Sequence, residues 1–208
     1  MKGLLLKDWY QVKGSMKTMY LTVALVLAIW ALSTSSSYVF PVSYAAIFLG
    51  ILPVNLLTYD QNSGWIEYGW TLPVSKKVLV AEKYLVGLLC TAVSAALNGI
   101  FCGIRFWMGK PLPAMPIGLL LGAGAASILL INGIMLPLYY RFGAEKARML
   151  YMLMFAGMGA ALGGGMVLMD AVPESGAAIA IVGVLAAVLA LYAVSWRVSV
   201  AWYGKYKK

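Results

Sequence analysis

The stretch WIEYGWTLPVSKK, Trp65 to Lys77, differs from nearly everything around it. It brings two tryptophans, a glutamate, a proline and two lysines together between two long apolar runs. Runs of that length are typical of membrane-spanning helices, because about 20 apolar residues cross the hydrocarbon core. The stretch therefore predicts a structured polar link between two spans.

The composition of the whole chain indicates a membrane protein. Of its 208 residues, 62% are hydrophobic and 11% are charged, and the mean hydropathy is +0.86. A soluble domain of this size could not bury that much apolar surface. Because the apolar runs lack the alternation of barrel strands, they predict helices. The predicted fold is an all-α integral membrane protein, with one transmembrane domain over residues 1–208. Six runs are candidate spans, at about Thr18–Leu32, Val39–Thr58, Val78–Ile104, Ile117–Tyr140, Met149–Met169 and Ala177–Trp196.

The cations favour one orientation across the membrane. The N-terminus and the links after the second and fourth runs carry four, three and three Lys or Arg, and the C-terminal tail carries four. The other links carry none, two and none. By the positive-inside rule, both termini and the opening stretch lie in the cytoplasm. The simplest role of the two outer cations, Arg105 and Lys110, is to snorkel to lipid phosphates.

The first seventeen residues precede the first apolar run. On a helical wheel, Leu5, Trp9, Val12 and Met16 fall within about 60° of one another, while the lysines lie on other sides. This pattern predicts an interfacial helix over residues 1–17, lying on the inner membrane surface. A merely topogenic basic flank is the alternative. A cleaved signal sequence is disfavoured, since no clean small-x-small site follows the apolar run.

Several functions are disfavoured by what the sequence lacks. It has no His, and its cations do not form the single basic face that binds nucleic acid. Its nearest approach to a phosphate-binding loop, GIRFWMGKP, has the wrong glycine spacing. All seven acids lie at the ends of runs or in links, so neither a proton relay nor a catalytic carboxylate pair is expected. We expect this chain to bind no cofactor, metal or nucleic acid and to have no enzymatic activity of its own.

Two cytoplasmic links carry more structure than the topology requires. In the first, WIEYGW predicts a short amphipathic helix, followed by a break at Leu72–Pro73. Ser75 is placed as the N-cap of a helix that starts at Lys76. The second link, Tyr139–Met149, has Gly143 as a break before the next helix. The charged residues of this second link are Arg141, Glu145, Lys146 and Arg148.

The first link resembles that of a known family. YDQNSGWIEYGWTLPVSKKVLVAEKYL is similar to the first cytoplasmic loop of the six-span permease subunits of bacterial ABC-type exporters, the type-2 permeases. There, a Glu-x-Gly stretch precedes Leu-Pro-Val-Ser and a lysine that enters the third span; here these are Glu67, Gly69, Leu72–Ser75 and Lys83. The opening MKGLLLKDWY and the second loop LYYRFGAEKARML resemble the small branch of that family. Tyr68 is a departure, since many larger relatives carry arginine there.

The resemblance implies a division of labour. In such exporters this link forms a coupling helix that sits in a cleft of a separate cytoplasmic ATPase, which holds the ATP and Mg. The permease works with a second copy of itself or a paralogue, here in a bacterial cell membrane. The implied cargo is an amphipathic or antimicrobial peptide, another antibiotic, or an ion. The implied ATPase contacts are Trp65, Glu67, Tyr68, Gly69, Trp70, Pro73 and Ser75, with Arg141, Gly143, Glu145 and Lys146 in the second loop.

Alternatives stay open at this point. Either tryptophan can instead belong to an aromatic belt at the inner interface. A non-transport scaffold or accessory subunit would share the topology and bind another cytoplasmic partner, and a membrane enzyme is a third reading. The expected lack of buried charge favours an amphipathic, membrane-partitioned cargo among those that the resemblance implies.

Overall fold

In the computed structural model the chain is helical over most of its length. The described residues are 2–15, 17–33, 38–69, 71–111, 113, 116–169 and 174–203. At 15, 144, 145, 147, 148, 151, 153–169 and 174–182 the description covers the backbone alone. Within these residues the helices are α1 (Lys2–Ser15), α2 (Lys17–Leu32), α3 (Val39–Asn62), α4 (Trp65–Gly69), α5 (Lys76–Trp107), α6 (Ile117–Met169) and α7 (Glu174–Trp202).

Four helical segments of the described residues are long and apolar enough to cross a membrane, and a fifth if α1 and α2 form one span. The four are Val39–Asn62, Lys76–Trp107, Ile117–Gly143 and Gly183–Trp202. They coincide with the second, third, fourth and sixth predicted runs. The helical, multi-pass membrane class is thus confirmed, whereas a total of six spans stays a prediction.

The first and fifth predicted runs differ from the other four. α2 has 16 residues, which at about 1.5 Å each reach about 24 Å, less than the hydrocarbon core. α1 and α2 meet at a bend of 66°, and the interfacial position of α1 stays a prediction. The fifth run, 149–169, is helical within α6. Its side chains lie largely outside the described residues.

α6 is interrupted at Gly143. This residue has φ 77° and ψ 178°, so two helical segments meet there at a kink. Glycine reaches this backbone conformation readily because it has no Cβ, whereas other residues are strained in it. The predicted break in the second loop is therefore confirmed.

The helices pack around α3, which contacts α2, α5 and α6, while α7 packs mainly on α6. We call the end of the bundle at which α4 lies the α4 end, and the opposite one the far end. The α4 end has its own buried cluster, which includes Leu57, Val80 and Leu136. A second cluster at the far end includes Val23 and Phe101. The two ends are therefore separate packing units joined by α3, α5 and α6.

The two cysteines of α5 lie too far apart to form a disulfide with each other. Cys90 and Cys102 are both buried and free. They are separated along one helix by about 18 Å, far beyond the span of a disulfide.

Candidate functional site

The link between α3 and α5 folds into a turn, a short helix and a second turn. α3 ends at Asn62, and Gly64 takes φ 70°, a left-handed conformation that favours glycine. α4 follows over five residues, Trp65–Gly69, so the predicted short helix is present. The N–H of Thr71 donates to the carbonyl of Tyr68 at 3.0 Å and closes the helix.

α4 has one face toward the bundle and one toward the outside. Trp65 is half-buried against the core cluster of the α4 end, and Gly69 is buried. Glu67 and Tyr68 are exposed, and the Tyr68 ring lies against Trp65 with centroids 5.4 Å apart. Of the predicted aromatic anchors, Trp65 therefore holds α4 to its own chain and Tyr68 faces outward. The third, Trp70, lies outside the described residues.

The turn before α5 is only partly as predicted. Ser75 is the N-cap residue, with φ −68° and ψ 146°, and the helix begins at Lys76. The expected side-chain cap is wrong, because the Ser75 hydroxyl makes no cap hydrogen bond. The carbonyl of Ser75 accepts from the N–H of Val78 at 2.9 Å, as the carbonyl of an N-cap residue ordinarily does. Water can satisfy this exposed first turn, so nothing requires the hydroxyl to do so. Pro73 is exposed in the same turn.

Beneath α4 lies a group of charged side chains that we call the Lys83 cluster: Lys7, Asp8, Asp60, Glu82 and Lys83. The Lys83 ammonium lies 2.7 Å from both carboxylate oxygens of Asp8 and 2.8 Å from Asp60. Lys7 contacts the same two acids, at 2.6 Å to Asp60 and 3.1 Å to Asp8. Three helices, α1, α3 and α5, therefore meet through charge.

Four of the five members of the Lys83 cluster are almost completely removed from water, whereas the side chain of Lys7 is 22% exposed. Asp8, Glu82 and Lys83 are each 2% exposed and Asp60 is 3% exposed. The expectation that the acids stay at ends and links without buried charge is therefore wrong. Asp60 lies near the end of α3 and Glu82 in the second turn of α5, whereas Asp8 lies in the middle of α1. The three helices pack so that these carboxylates meet Lys83 inside the bundle. Burial of this kind is tolerated only when charges are paired and hydrogen-bonded.

The Lys83 cluster also touches α4. The Lys7 ammonium lies 4.6 Å from the centroid of the Trp65 ring, within the range of a cation–π interaction. A cavity of about 20 Å³ separates α4 from the cluster, and its lining includes Ile66, Gly69 and Glu82. Such a volume is large enough for one water molecule. Oε1 of Glu82 lines this region and has no hydrogen-bond partner among the described residues.

The second predicted loop lies beside α4. Tyr140 and Tyr203 meet edge to face with centroids 5.6 Å apart, and both belong to the buried cluster against which Trp65 packs. The guanidinium of Arg141 lies 4.7 Å from the centroid of the Trp202 ring. The end of α7 thus joins α4 to the second loop. Of the remaining predicted residues of this loop, Gly143 is buried, Lys146 is exposed and the side chain of Glu145 lies outside the described residues.

A hydroxyl network connects α5 to α7 near this site. The Tyr84 hydroxyl lies 2.6 Å from Oγ of Ser195 and 2.7 Å from Oγ of Ser199. The Tyr192 hydroxyl donates to the carbonyl of Tyr84 at 2.7 Å. This network was not predicted from the sequence. A usable signal was the presence of a tyrosine in one predicted span and of serines on one side of another, since such groups hydrogen-bond between helices in membranes.

At the far end, the predicted snorkelling of the outer cations is wrong. Arg105 is completely buried, donates from Nη1 to the carbonyl of Trp30 at 3.0 Å, and lies over the ring of Tyr38 at 4.7 Å. Lys110 donates to the carbonyls of Leu32 and Ser33 at 3.2 and 2.7 Å. These carbonyls lie at the C-terminal end of α2. The last carbonyls of a helix have no helical donor, and the helix dipole there attracts cations.

These features are those of a helical, multi-pass membrane subunit in which a short helix and a second loop are gathered at one end. A family model described as "ABC-2 family transporter protein" matches residues 3–204 of the chain. The chain belongs to this family, whose members are membrane subunits of ABC transporters and are not themselves ATPases. Neither the curated proteins nor the solved structures gave a match.

Proposed function

We propose that this permease subunit works in an ATP-driven exporter and that α4 is the coupling helix that docks on the partner ATPase. The observation that supports the proposal is that α4 has one exposed face and one face packed against the bundle. Glu67 and Tyr68 face outward, while Trp65 is held from below by the core and by Lys7. A helix that only filled a loop would not need this connection to the spans.

The Lys83 cluster supplies a path by which a displacement of α4 can reach the spans. Trp65 contacts Lys7 of α1, Lys7 contacts Asp60 of α3, and Asp60 contacts Lys83 of α5. An ATPase can shift the permease only if its nucleotide states contact α4 differently. Because the ion pairs of Asp8 and Asp60 with Lys83 are buried, their attraction is screened less than that of surface charges, so we expect these contacts to transmit a displacement of α4 to α3 and α5.

The second loop belongs to the same proposed docking surface. Arg141 and Lys146 are exposed, and Tyr140, next to Arg141, lines the same cavity as Trp65 and Gly69 of α4. The proposal extends the docking surface of Glu67 and Tyr68 to these two cations. In this proposal the α4 end faces the cytoplasm, as the distribution of cations predicts, and the ATP and Mg stay on the partner.

We infer that two permease subunits assemble, as a homodimer or with a paralogue. Large apolar side chains stay exposed on the described spans, among them Leu89, Ile100 and Ile104 of α5 and Leu191 and Val194 of α7. Such surface suits lipid or a second permease, since closed symmetric pairs are the commonest assemblies.

We also propose an amphipathic cargo that partitions into the membrane, such as an antimicrobial peptide or another antibiotic. The argument from an absence of buried charge no longer holds. The support is instead that the buried cations Lys83 and Arg105 are already engaged, Lys83 by two aspartates and Arg105 by the Trp30 carbonyl and the Tyr38 ring. Cargo recognition then falls to apolar surface.

The test is co-purification from the native membrane in mild detergent. The wild-type chain is expected to bring down a nucleotide-binding ATPase in stoichiometric amount, and Glu67→Ala/Tyr68→Ala is expected to lose it. Trp107→Ala, an exposed change at the far end of α5, is the matched control. A wild-type preparation without an ATPase, under conditions that preserve other membrane complexes, would contradict the exporter and favour a scaffold or accessory subunit.

A further inference from the structure

α1 has two distinct faces. Toward the bundle, Leu4 and Asp8 are buried, and Leu5 and Val12 pack against the buried residues of α3 and α5. Asp8 is fixed by its contact with Lys83. The rotation of α1 about its own axis is therefore set by a buried ion pair together with apolar packing.

The opposite face is a stripe of exposed residues. Its members fall within about 100° on a helical wheel. Leu6, Trp9 and Tyr10 are exposed by 54%, 63% and 65%. The stripe, which we call the α1 stripe, consists of Lys2, Leu6, Trp9, Tyr10 and Lys13.

The charge on the α1 stripe is of one sign. Asp8 is the only acid in α1, and it points inward, where Lys83 neutralises it. Lys2 and Lys13 therefore flank the aromatic residues without a competing carboxylate from the same helix. An ordinary polar helix exposes charges of both signs. α1 instead buries its acid and exposes its cations, so this face is suited to binding anions.

We propose that the α1 stripe is a docking surface for the anionic phospholipid headgroups of the adjoining leaflet. Aromatic side chains prefer the depth of the headgroups, and each lysine near an anionic surface raises the apparent affinity by about fivefold. The 66° bend between α1 and α2 turns α1 away from the direction of the span, which suits a helix lying along the membrane surface.

This inference stands apart from the proposed function, because the α1 stripe would bind lipid whether or not α4 docks an ATPase. If both hold, α1 has lipid on one face and the Lys7 contact to Trp65 on another. The lipid composition would then bias the position of α4.

The test uses the full chain in nanodiscs with an environment-sensitive fluorophore on Tyr10→Cys. Cys90 and Cys102 are buried and stay in place, and the wild-type chain taken through the same labelling serves as the blank. Replacing part of the phosphatidylcholine by phosphatidylglycerol is expected to shift the emission to shorter wavelength and to reduce quenching by iodide. Added salt is expected to weaken the response.

Two double variants distinguish lipid binding by the α1 stripe from general attraction between a basic protein and an anionic membrane. Lys2→Gln/Lys13→Gln is expected to abolish the phosphatidylglycerol response, whereas the exposed pair Lys76→Gln/Lys77→Gln should keep it. A response that survives Lys2→Gln/Lys13→Gln would overturn the proposal. So would a probe protected equally in pure phosphatidylcholine, which would show that zwitterionic lipid or protein covers the stripe and that anionic headgroups are not required.

Discussion

Each end of the bundle buries a cation, and the two ends satisfy it in different ways. At the α4 end Lys83 lies between the carboxylates of Asp8 and Asp60. At the far end Arg105 donates to the carbonyl of Trp30 and lies over the ring of Tyr38. The first arrangement is a set of full charges shared by three helices, and the second is a cap on the end of α2.

This difference teaches what each end can do. Removing Lys83 would leave the three buried carboxylates of Asp8, Asp60 and Glu82 with Lys7 as the one remaining cation of the cluster. Removing Arg105 would leave a neutral carbonyl and no uncompensated charge. Charge pairing therefore makes the α4 end both more rigid and more sensitive to loss of a partner. A cap holds one helix end locally. The α4 end is the part of the molecule built to hold three helices together.

The largest effect is expected for Lys83→Met. Breaking a buried ion pair by removing one partner costs about 3–5 kcal/mol, because the other charge stays buried. Unfolding of the purified chain in detergent measures it. Asp8→Asn/Lys83→Met is the matched variant: it should recover part of the loss, since Asp60 keeps its contact with Lys7 at 2.6 Å. A double variant no more stable than Lys83→Met would refute charge pairing as the cause.

A smaller effect is expected for Arg105→Met. A hydrogen bond from a charged group is worth about 1.5–3 kcal/mol, and only a neutral carbonyl is left behind. The same unfolding measurement, made beside that of Lys83→Met, checks the order. A loss equal to or greater than that of Lys83→Met would break the comparison between the two ends.

Tyr84→Phe tests a neutral link at the α4 end. It removes the hydroxyl that lies 2.6 and 2.7 Å from Ser195 and Ser199 and leaves the ring in place. The expected loss is about 1 kcal/mol, as for ordinary neutral hydrogen bonds. A loss as large as that of Lys83→Met would mean that the hydroxyl network, and not charge, dominates this end.

The smallest effect is expected for Ser75→Ala. N-cap serines commonly contribute about 1 kcal/mol, but this one makes no cap hydrogen bond. The substitution should therefore change stability by less than about 0.5 kcal/mol, as exposed positions do. A loss of the usual size for a cap would show that the hydroxyl does bond to the first turn of α5.

Most of the fold could be predicted from the sequence, whereas the buried contacts beneath α4 could not. Long apolar runs and Gly143 predicted the spans and the kink because these are local properties of backbone and hydropathy. The Lys83 cluster was missed because Asp8, Asp60 and Lys83 are far apart in the chain and come together only when α1, α3 and α5 pack against one another. A usable signal was present: Glu82 and Lys83 lie inside a predicted span, where charge is expensive unless it has a partner.

The predicted docking residues also divide into those that local sequence could place and those that it could not. Glu67 and Tyr68 could be placed on an exposed surface from the amphipathic pattern alone. The inward role of Trp65 could not, since an aromatic beside a membrane serves equally as an anchor for a partner, for lipid or for its own core. The contact with Lys7 on another helix decides it.

The most direct test of α4 as the coupling helix is photo-crosslinking in the native membrane. A benzophenone amino acid would replace Tyr68, with Leu89 on the exposed face of α5 as the control position. The account predicts an adduct with a nucleotide-binding ATPase from position 68 and none from position 89. Adducts from position 68 that contain lipid or other proteins but no ATPase would contradict it.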